Sequence, residues 1–293
     1  MSTLAIDIGG TKFTVGLFDE AGGAVTMIRR ESHATDREGG RDWMLSRLDA
    51  IVADWVRGSS ITRCGIGFGG PVDFERQRVA LSTHVGGWTD FPLCDHISQL
   101  LSGVPVVMDN DANAGALGEA MHGAGSAAGG GYARPLLYLT ISTGIGGGIV
   151  IGDEVYRGAD SWAGEIGHIT IHPGGPECLC GSHGCLERLC CGLWLERDYG
   201  KTAKELFLDE TFVSRYVVDF AQGLKAAIML LNPAAIVLGG GIAKAGDRLF
   251  VPLRAELRRQ VTSWSRARLD IRQAALGDDS VLWGAFELAR RRG

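Results

Sequence analysis

The sequence predicts an α/β chain in two lobes, on three observations. Strand-like apolar runs alternate with helix-like periodicities in both halves. Each half opens on two strand-like runs joined by a glycine turn, Gly9-Gly10-Thr11-Lys12 in the first and Ser142-Thr143-Gly144-Ile145-Gly146-Gly147 in the second. The 44 glycines, about twice the ordinary ~7% usage, cluster at strand ends: 9–10, 65–70, 144–148 and 239–241. Glycine in such places lets backbone come close to a ligand.

The elements follow in order. Residues 3–8 (TLAIDI) and 13–18 (FTVGLF) form a hairpin. Met44, Leu45, Leu48, Ile51, Val52, Trp55 and Val56 give residues 41–57 helical spacing. A strand at 64–68 ends at Gly69-Gly70-Pro71, where the proline bars an immediate helix. A buried strand at 104–109 leads to a helix over 113–121, with Asn110 and Asp111 at its mouth. Residues 123–134 (GAGSAAGGGYAR) read as a flexible surface loop and linker. Residues 136–141 and 148–156 make a second hairpin that echoes the first, which suggests an internal duplication. A long amphipathic helix over 213–231 stops at Asn232-Pro233. A buried strand then runs into the 239–241 glycine turn, and two helices follow at 247–260 and 280–292.

Bulk properties narrow the function. The 293 residues are 45% apolar and 22% charged, enough for one large or two ordinary folded domains. A net charge of −5 argues against a generic nucleic-acid or membrane-surface binder. No apolar run approaches the ~18 residues of a membrane span, and MSTLAIDIGGTKF lacks the pattern of a signal peptide. A cytoplasmic setting is expected, where cysteines serve as thiols, metal ligands or catalysts.

Gly65-Ile66-Gly67-Phe68-Gly69-Gly70 satisfies G-x-G-x-x-G, but that fingerprint must open a helix, and Pro71 prevents it. The Walker pattern is absent. The turns at 9–12 and 142–147, with Gly240 and Gly241 after a strand, are read as phosphate cradles built from backbone N–H groups and threonine hydroxyls, although each taken alone also fits a plain turn. Asp7, just before the first turn, is placed to hold Mg²⁺ directly or through water. Asp111 stands near a helix N-terminus, which favours its ionised form. It could take a proton from an attacking hydroxyl, or it could merely cap the helix. Between His168 and Glu187 three cysteines, Cys178, Cys180 and Cys185, fall within eight positions. A disulfide framework, a redox pair, a metal site and coincidence are all open on spacing alone.

The segments Asp7-IGGTK, Gly65-IGFGGPVD, Asn110-DANAGALGE, Ser142-TGIGGGIVIGDEVYRG, Gly164-EIGH, Cys178-LCGSHGCLE and Leu238-GGGIA together resemble the ROK (repressor, open reading frame, kinase) family of sugar kinases, over nearly the whole chain. The resemblance implies an actin-like ATPase (ribonuclease H-like) fold with nucleotide and sugar in the interlobe cleft. It implies a first lobe over 1–113, with helix 280–293 packing back on it, and a larger lobe over 114–279. His168, Cys178, Cys180 and Cys185 are implied ligands of one structural Zn²⁺, with His172 and His183 as rival fourth ligands. Gly70, Asn110, Glu165, His168 and Glu187 are implied sugar contacts, and Asp111 the catalytic base. The implied activity is ATP-dependent phosphorylation of a hexose, most simply glucose at O6. MgATP would contact Asp7, Gly9, Gly10, Thr11, Lys12, Thr143, Gly144, Gly240 and Gly241.

A homodimer is expected. Kinases for N-acetylmannosamine or fructose are alternatives within the class. A sugar-sensing transcriptional regulator is the alternative outside it, disfavoured because no DNA-binding segment precedes the first strand. The 83–89 stretch (THVGGWT) departs from the glucokinase-like pattern at Thr83-His84. Cys64, Cys94, Cys190 and Cys191 read as small buried hydrophobes.

Overall fold

The computed structural model describes residues 2–82, 85–127, 131–266 and 269–292, so Thr83 and His84 lie outside it. The chain divides into two compact units. One comprises 1–121, 157–162 and 279–293, and the other comprises 122–156 and 163–278.

The first unit contains β1 (Ser2–Ile8), β2 (Lys12–Ala21), β3 (Ala24–Ala34), α1 (Gly40–Val56), β4 (Ile61–Phe68), β5 (Val72–Asp73), β6 (Arg78–Val79), α2 (Leu93–Leu100), β7 (Val106–Asn110) and α3 (Asp111–Met121). Its main sheet has the order β3-β2-β1-β4-β7, with the β1–β2–β3 meander antiparallel and β4 and β7 parallel to β1. The sequence reading missed β3. Its AVTMIRRESHA run lacks clean apolar alternation because it is a charged edge strand, although the Gly22-Gly23 turn before it, at φ 61° and 82°, was a legible hairpin signal.

The second unit holds β8 (Leu136–Ile141), β9 (Ile145–Ile151), β10 (Glu154–Val155), a 3₁₀ turn at Ile166–His168, α4 (Leu186–Cys190), α5 (Gly192–Tyr199), α6 (Ala203–Leu206), α7 (Glu210–Leu231), β11 (Ala235–Gly239), α8 (Gly240–Ala243), α9 (Asp247–Gln260), α10 (Ser263–Arg266) and β12 (Ile271–Gln273). The order is β10-β9-β8-β11-β12, the same permutation as in the first unit. The expected internal repeat is therefore present as topology. The second turn is shorter than predicted, because Ile145, Gly146 and Gly147 belong to β9. A Cβ on Gly147 would sit 2.4 Å from the Gly164 carbonyl oxygen, so glycine here admits a neighbouring backbone.

The last helix, α11 (Ser280–Arg292), belongs to the first unit. It explains two of the glycines in the rejected G-x-G-x-x-G run. A Cβ on Gly65 would lie 1.8 Å from the Ala285 carbonyl oxygen, and one on Gly67 would lie 2.3 Å from Val281. The same helix meets α3 backbone to backbone, since Gly284 faces the Ala114 carbonyl and Gly118 faces that of Ser280. Phe18 stacks on Phe286, ring centroids 4.9 Å apart, and completes this side of the sheet. These glycines serve helix packing, not phosphate.

The 123–134 stretch is a surface loop only in part, with Ala127 and Tyr132 exposed. Gly123, Ala124, Gly125 and Ser126 are buried, and Arg272 donates to the carbonyls of Ala124 and Gly131 at 2.6 and 3.0 Å. Its small residues fit a tight space rather than a free linker. Cys64, Cys94, Cys190 and Cys191 are all buried in apolar cores, as the sequence predicts. Among the described residues, no helix is long and apolar enough to cross a membrane.

Candidate active site

Three strand ends in the first unit bring Asp7, Gly70, Asn110 and Asp111 together. Parallel pairing sets Asp7 of β1 beside Gly67 of β4, and Gly67 beside Asp109 of β7. The chain then turns at Gly69, whose N–H donates to the Ile8 carbonyl at 2.7 Å. Asn110 Nδ2 donates to the Gly70 carbonyl at 3.1 Å. Its Oδ1 accepts the N–H groups of Ala112 at 2.9 Å and Asn113 at 3.3 Å. Asn110 thus caps α3, and Asp111, its first residue, also accepts the Ala112 N–H through Oδ1 at 2.8 Å. A Cβ on Gly69 would lie 3.3 Å from Asp111 Oδ2, so glycine keeps that carboxylate uncrowded.

Asp7 is 8% exposed. Burial, with the neighbouring Asp111 charge adding to it, pushes its carboxyl up to about 7, against the pull of Lys12. The Asp7 and Asp111 carboxylates repel each other, and a bound dication would relieve that repulsion.

The first glycine turn has its acceptors occupied. The Gly9 N–H donates to the Lys12 carbonyl at 2.9 Å, and the Thr35 N–H to that of Thr11 at 2.9 Å. Thr35 Oγ1 donates to the Gly9 carbonyl, and Arg37 Nε to that of Gly10, both at 3.1 Å. These bonds occupy the carbonyls of Gly9, Gly10, Thr11 and Lys12, and the Gly9 N–H is occupied as well. The sequence reading missed Thr35 and Arg37, because nothing local links them to a turn more than twenty residues earlier; only the β2–β3 pairing returns them to it.

The second turn, in the other unit, is braced differently. Its Ser142 and Thr143 carbonyls accept from Gly192 and Leu193 at the start of α5, at 2.7 and 3.2 Å. Glu187 Oε2 accepts the Ile145 N–H at 2.8 Å. This predicted sugar contact is therefore tied to the turn holding Thr143 and Gly144. Gly240 opens α8 at φ 84°, and a Cβ there would lie 2.5 Å from the Ile141 carbonyl oxygen. That close approach mirrors Gly69 against Ile8 in the first unit. Gly241 is exposed beside it.

The His168, Cys178, Cys180 and Cys185 donor atoms all lie within 4.8 Å of one another. Cys178 Sγ is 4.0 Å from His168 Nδ1, and Cys180 Sγ is 3.7 Å from Cys185 Sγ. His172 is engaged elsewhere, with Nε2 2.7 Å from Asp219 Oδ1, and neither it nor His183 joins the cluster. Burial pushes the Cys178 thiol up, and the Cys185 thiol to about 12, so a bound cation is what would make them thiolates. The 3₁₀ turn brings Glu165 Oε2 to 4.0 Å from His168 Nε2. Burial raises the Glu165 carboxyl, while His168 lowers it and Glu187 raises it further.

Comparisons with known proteins bear on this arrangement. A glucokinase of Thermotoga maritima is 30% identical, over all of this chain and 98% of its own. An N-acetylmannosamine kinase of Yersinia pestis is 30% identical, over 98% of each. A xylose repressor of Bacillus subtilis is 25% identical, over 96% of this chain and 75% of its own. Among solved structures, a ROK family glucokinase from Streptomyces griseus in complex with glucose and AMPPNP superposes with a TM-score of 0.80, at 30% identity, covering 99% of this chain and all of the other. Its two-lobed α/β fold is the fold of this chain. The ROK family model matches residues 3–292, and the chain belongs to the ROK family.

Proposed function

We propose that this protein is an ATP-dependent hexokinase that phosphorylates glucose at O6, with Asp111 as the general base. The observation that carries the reading is the pair of glycine turns at equivalent places in two sheets of one topology. Each has carbonyls tied back, by Thr35 and Arg37 in one and by the start of α5 in the other. Turns whose acceptors are spent suit phosphate oxygens, which accept only.

The roles follow from chemistry. Gly9, Gly10, Thr11, Lys12, Thr143, Gly144, Gly240 and Gly241 are assigned to ATP. Asp7 suits Mg²⁺, because burial, with the Asp111 charge adding to it, raises its carboxyl to about 7, and a dication would offset both. Asp111, whose Oδ1 accepts the Ala112 N–H at 2.8 Å, is assigned to take the attacking hydroxyl's proton. Gly70, Asn110, Glu165, His168 and Glu187 are assigned to the sugar. The Cys₃His set is a closed donor set of the kind Zn²⁺ prefers, and its atoms are close enough to share one ion. Zinc would supply position rather than reaction chemistry, fixing the segment that carries Glu165 and Glu187.

The kinase relatives support ATP and a hexose, and the 30% identity to an N-acetylmannosamine kinase keeps that sugar as the second substrate to try. Coupled ADP release should be measured with glucose, mannose, fructose, N-acetylmannosamine and N-acetylglucosamine. Glucose should give the highest kcat/KM; a higher value for another sugar reassigns the substrate. Asp111→Asn should lose roughly a thousandfold or more in kcat while binding sugar and ATP nearly normally. Near-full turnover in that variant removes Asp111 as the base. Turnover itself separates the kinase from the regulator reading.

A further inference from the structure

Asp109 is a buried charge that the proposed mechanism does not use. It is 2% exposed and lies two residues before Asp111. Its Oδ1 accepts from the Asn110 N–H at 2.8 Å and from Asn113 Nδ2 at 3.0 Å. Its Oδ2 accepts from Arg157, at 2.9 Å from Nε and 2.7 Å from Nη2. The two donors on Oδ1 belong to residues on either side of Asp111. One of them, Asn110, also caps α3 through Ala112 and Asn113. One carboxylate thus grips the backbone on which position 111 is carried.

Arg157 is fixed in turn. Its Cζ lies 3.5 Å from the centroid of the Phe74 ring, which also has the Arg292 guanidinium at 4.4 Å. A flat fork that pairs with a carboxylate and stacks on a ring is a task lysine performs poorly. Burial raises the Asp109 carboxyl, and Arg157, Asn113 and the Asn110 N–H oppose that rise.

We propose that Arg157 is a positioning residue for phosphoryl transfer, acting through Asp109 and Asn110 on the base at Asp111. Without the guanidinium, Asp109 is either a stranded buried charge or a protonated acid that turns to find an acceptor. Either outcome loosens its hold on Asn110 and shifts position 111. The inference rests on the reading of Asp111 as the base.

The experiment is steady-state ADP release with the best hexose for Arg157→Met, Arg157→Lys, Asp109→Asn, the Arg157→Met/Asp109→Asn pair and Asp111→Asn. Circular dichroism and thermal melts confirm folding. Arg157→Met should lower kcat about tenfold or more at saturating substrates, since small misplacements of a reacting group are costly, with both KM values within about threefold. Arg157→Lys should recover that loss only in part. The neutral double variant should exceed Arg157→Met in kcat, because no charge is left stranded. Should the Met variants fail to fold, Arg157→Lys and Asp109→Asn decide, each expected to lose kcat and keep KM. Parent-level kcat in any folded Arg157 variant, or a loss confined to KM or stability, overturns the proposal. If Asp111→Asn is inactive and the Arg157 variants are normal, only this inference fails; if Asp111→Asn is active, the reading beneath it fails.

Discussion

In the first unit, a tight turn between β1 and β2 is held by Thr35 and Arg37, with Asp7 near the end of β1, Asp109 near the end of β7 and Asp111 at the start of α3. In the second unit, the matching turn between β8 and β9 is held by α5 and by Glu187, and the position matching Asp7 is Thr140. The second unit also carries a sulfur and imidazole cluster, on the segment between β10 and α4. The two sheets share one strand order and the same glycine-on-isoleucine close approach, Gly69 on Ile8 and Gly240 on Ile141. The scaffold was kept, and the chemistry differs between its copies. A repeated fold therefore says where ligands can bind; the side chains at the strand ends say what happens there.

The sharpest way to break this comparison is to exchange its distinguishing positions. Asp7→Asn should lose about a hundredfold or more in kcat/KM for MgATP, since metal-held charge stabilisation is worth several kcal/mol, while Thr140→Val should stay within about threefold. Equal losses would mean that Asp7 is not what sets the two strand ends apart. The same aspartate has a stability signature. Its folded-state carboxyl titrates near 7, above its ordinary 3.8, so the folded protein binds the proton more tightly than the unfolded chain. Stability should therefore fall as pH rises from about 4 to above 7, by up to roughly 4 kcal/mol, in the absence of divalent ions. Asp7→Asn should remove that slope, which urea midpoints at pH 5 and pH 8 would detect. An unchanged slope in the variant would relocate the proton.

Next in size is packing. Gly284→Ala pushes a methyl group against the Ala114 carbonyl, where neither helix backbone can yield cheaply, and should cost roughly 2–3 kcal/mol in denaturant unfolding. Gly58→Ala, with nothing near its Cβ position, should change stability by less than about 0.5 kcal/mol. If both are neutral, the α3–α11 contact is looser than described. In the second unit, each of Cys178→Ser, Cys180→Ser and Cys185→Ser should bring bound zinc well below one equivalent by elemental analysis, and His168→Ala should do so while His172→Ala does not. Normal zinc in the His168 variant would hand the fourth position to another residue. The smallest effect is expected at the brace under the first turn. Arg37→Ala removes one hydrogen bond to the Gly10 carbonyl and should raise KM for ATP about two- to fivefold with kcat unchanged. No change in KM would mean that Thr35 suffices.

Some of this was legible in local residues. The helices at 40–56, 210–231, 247–260 and 280–292 all announced themselves by periodicity or by a stop signal, such as Asn232 in the left-handed conformation before Pro233. The mouth of α3 was visible as Asp109-Asn110-Asp111, but not which residue capped it, since aspartate and asparagine cap equally well. The edge strand β3 and the short β12 hid because edge strands need no apolar alternation. The 123–126 segment looked like a free loop because small residues signal flexibility and tight quarters alike.

By itself the sequence determined the α/β class, the repeated opening hairpins, the family, and the residue types at the candidate site, because periodicity, turn chemistry and motif spacing are written along the chain. Tertiary structure alone decided that Gly65, Gly67 and Gly284 belong to helix packing, that Thr35 and Arg37 brace a distant turn, and that Arg157 pairs with Asp109 across 48 positions. Those facts depend on which backbones and charges meet in space, and a buried carboxylate carries no mark in the sequence of the guanidinium that will neutralise it.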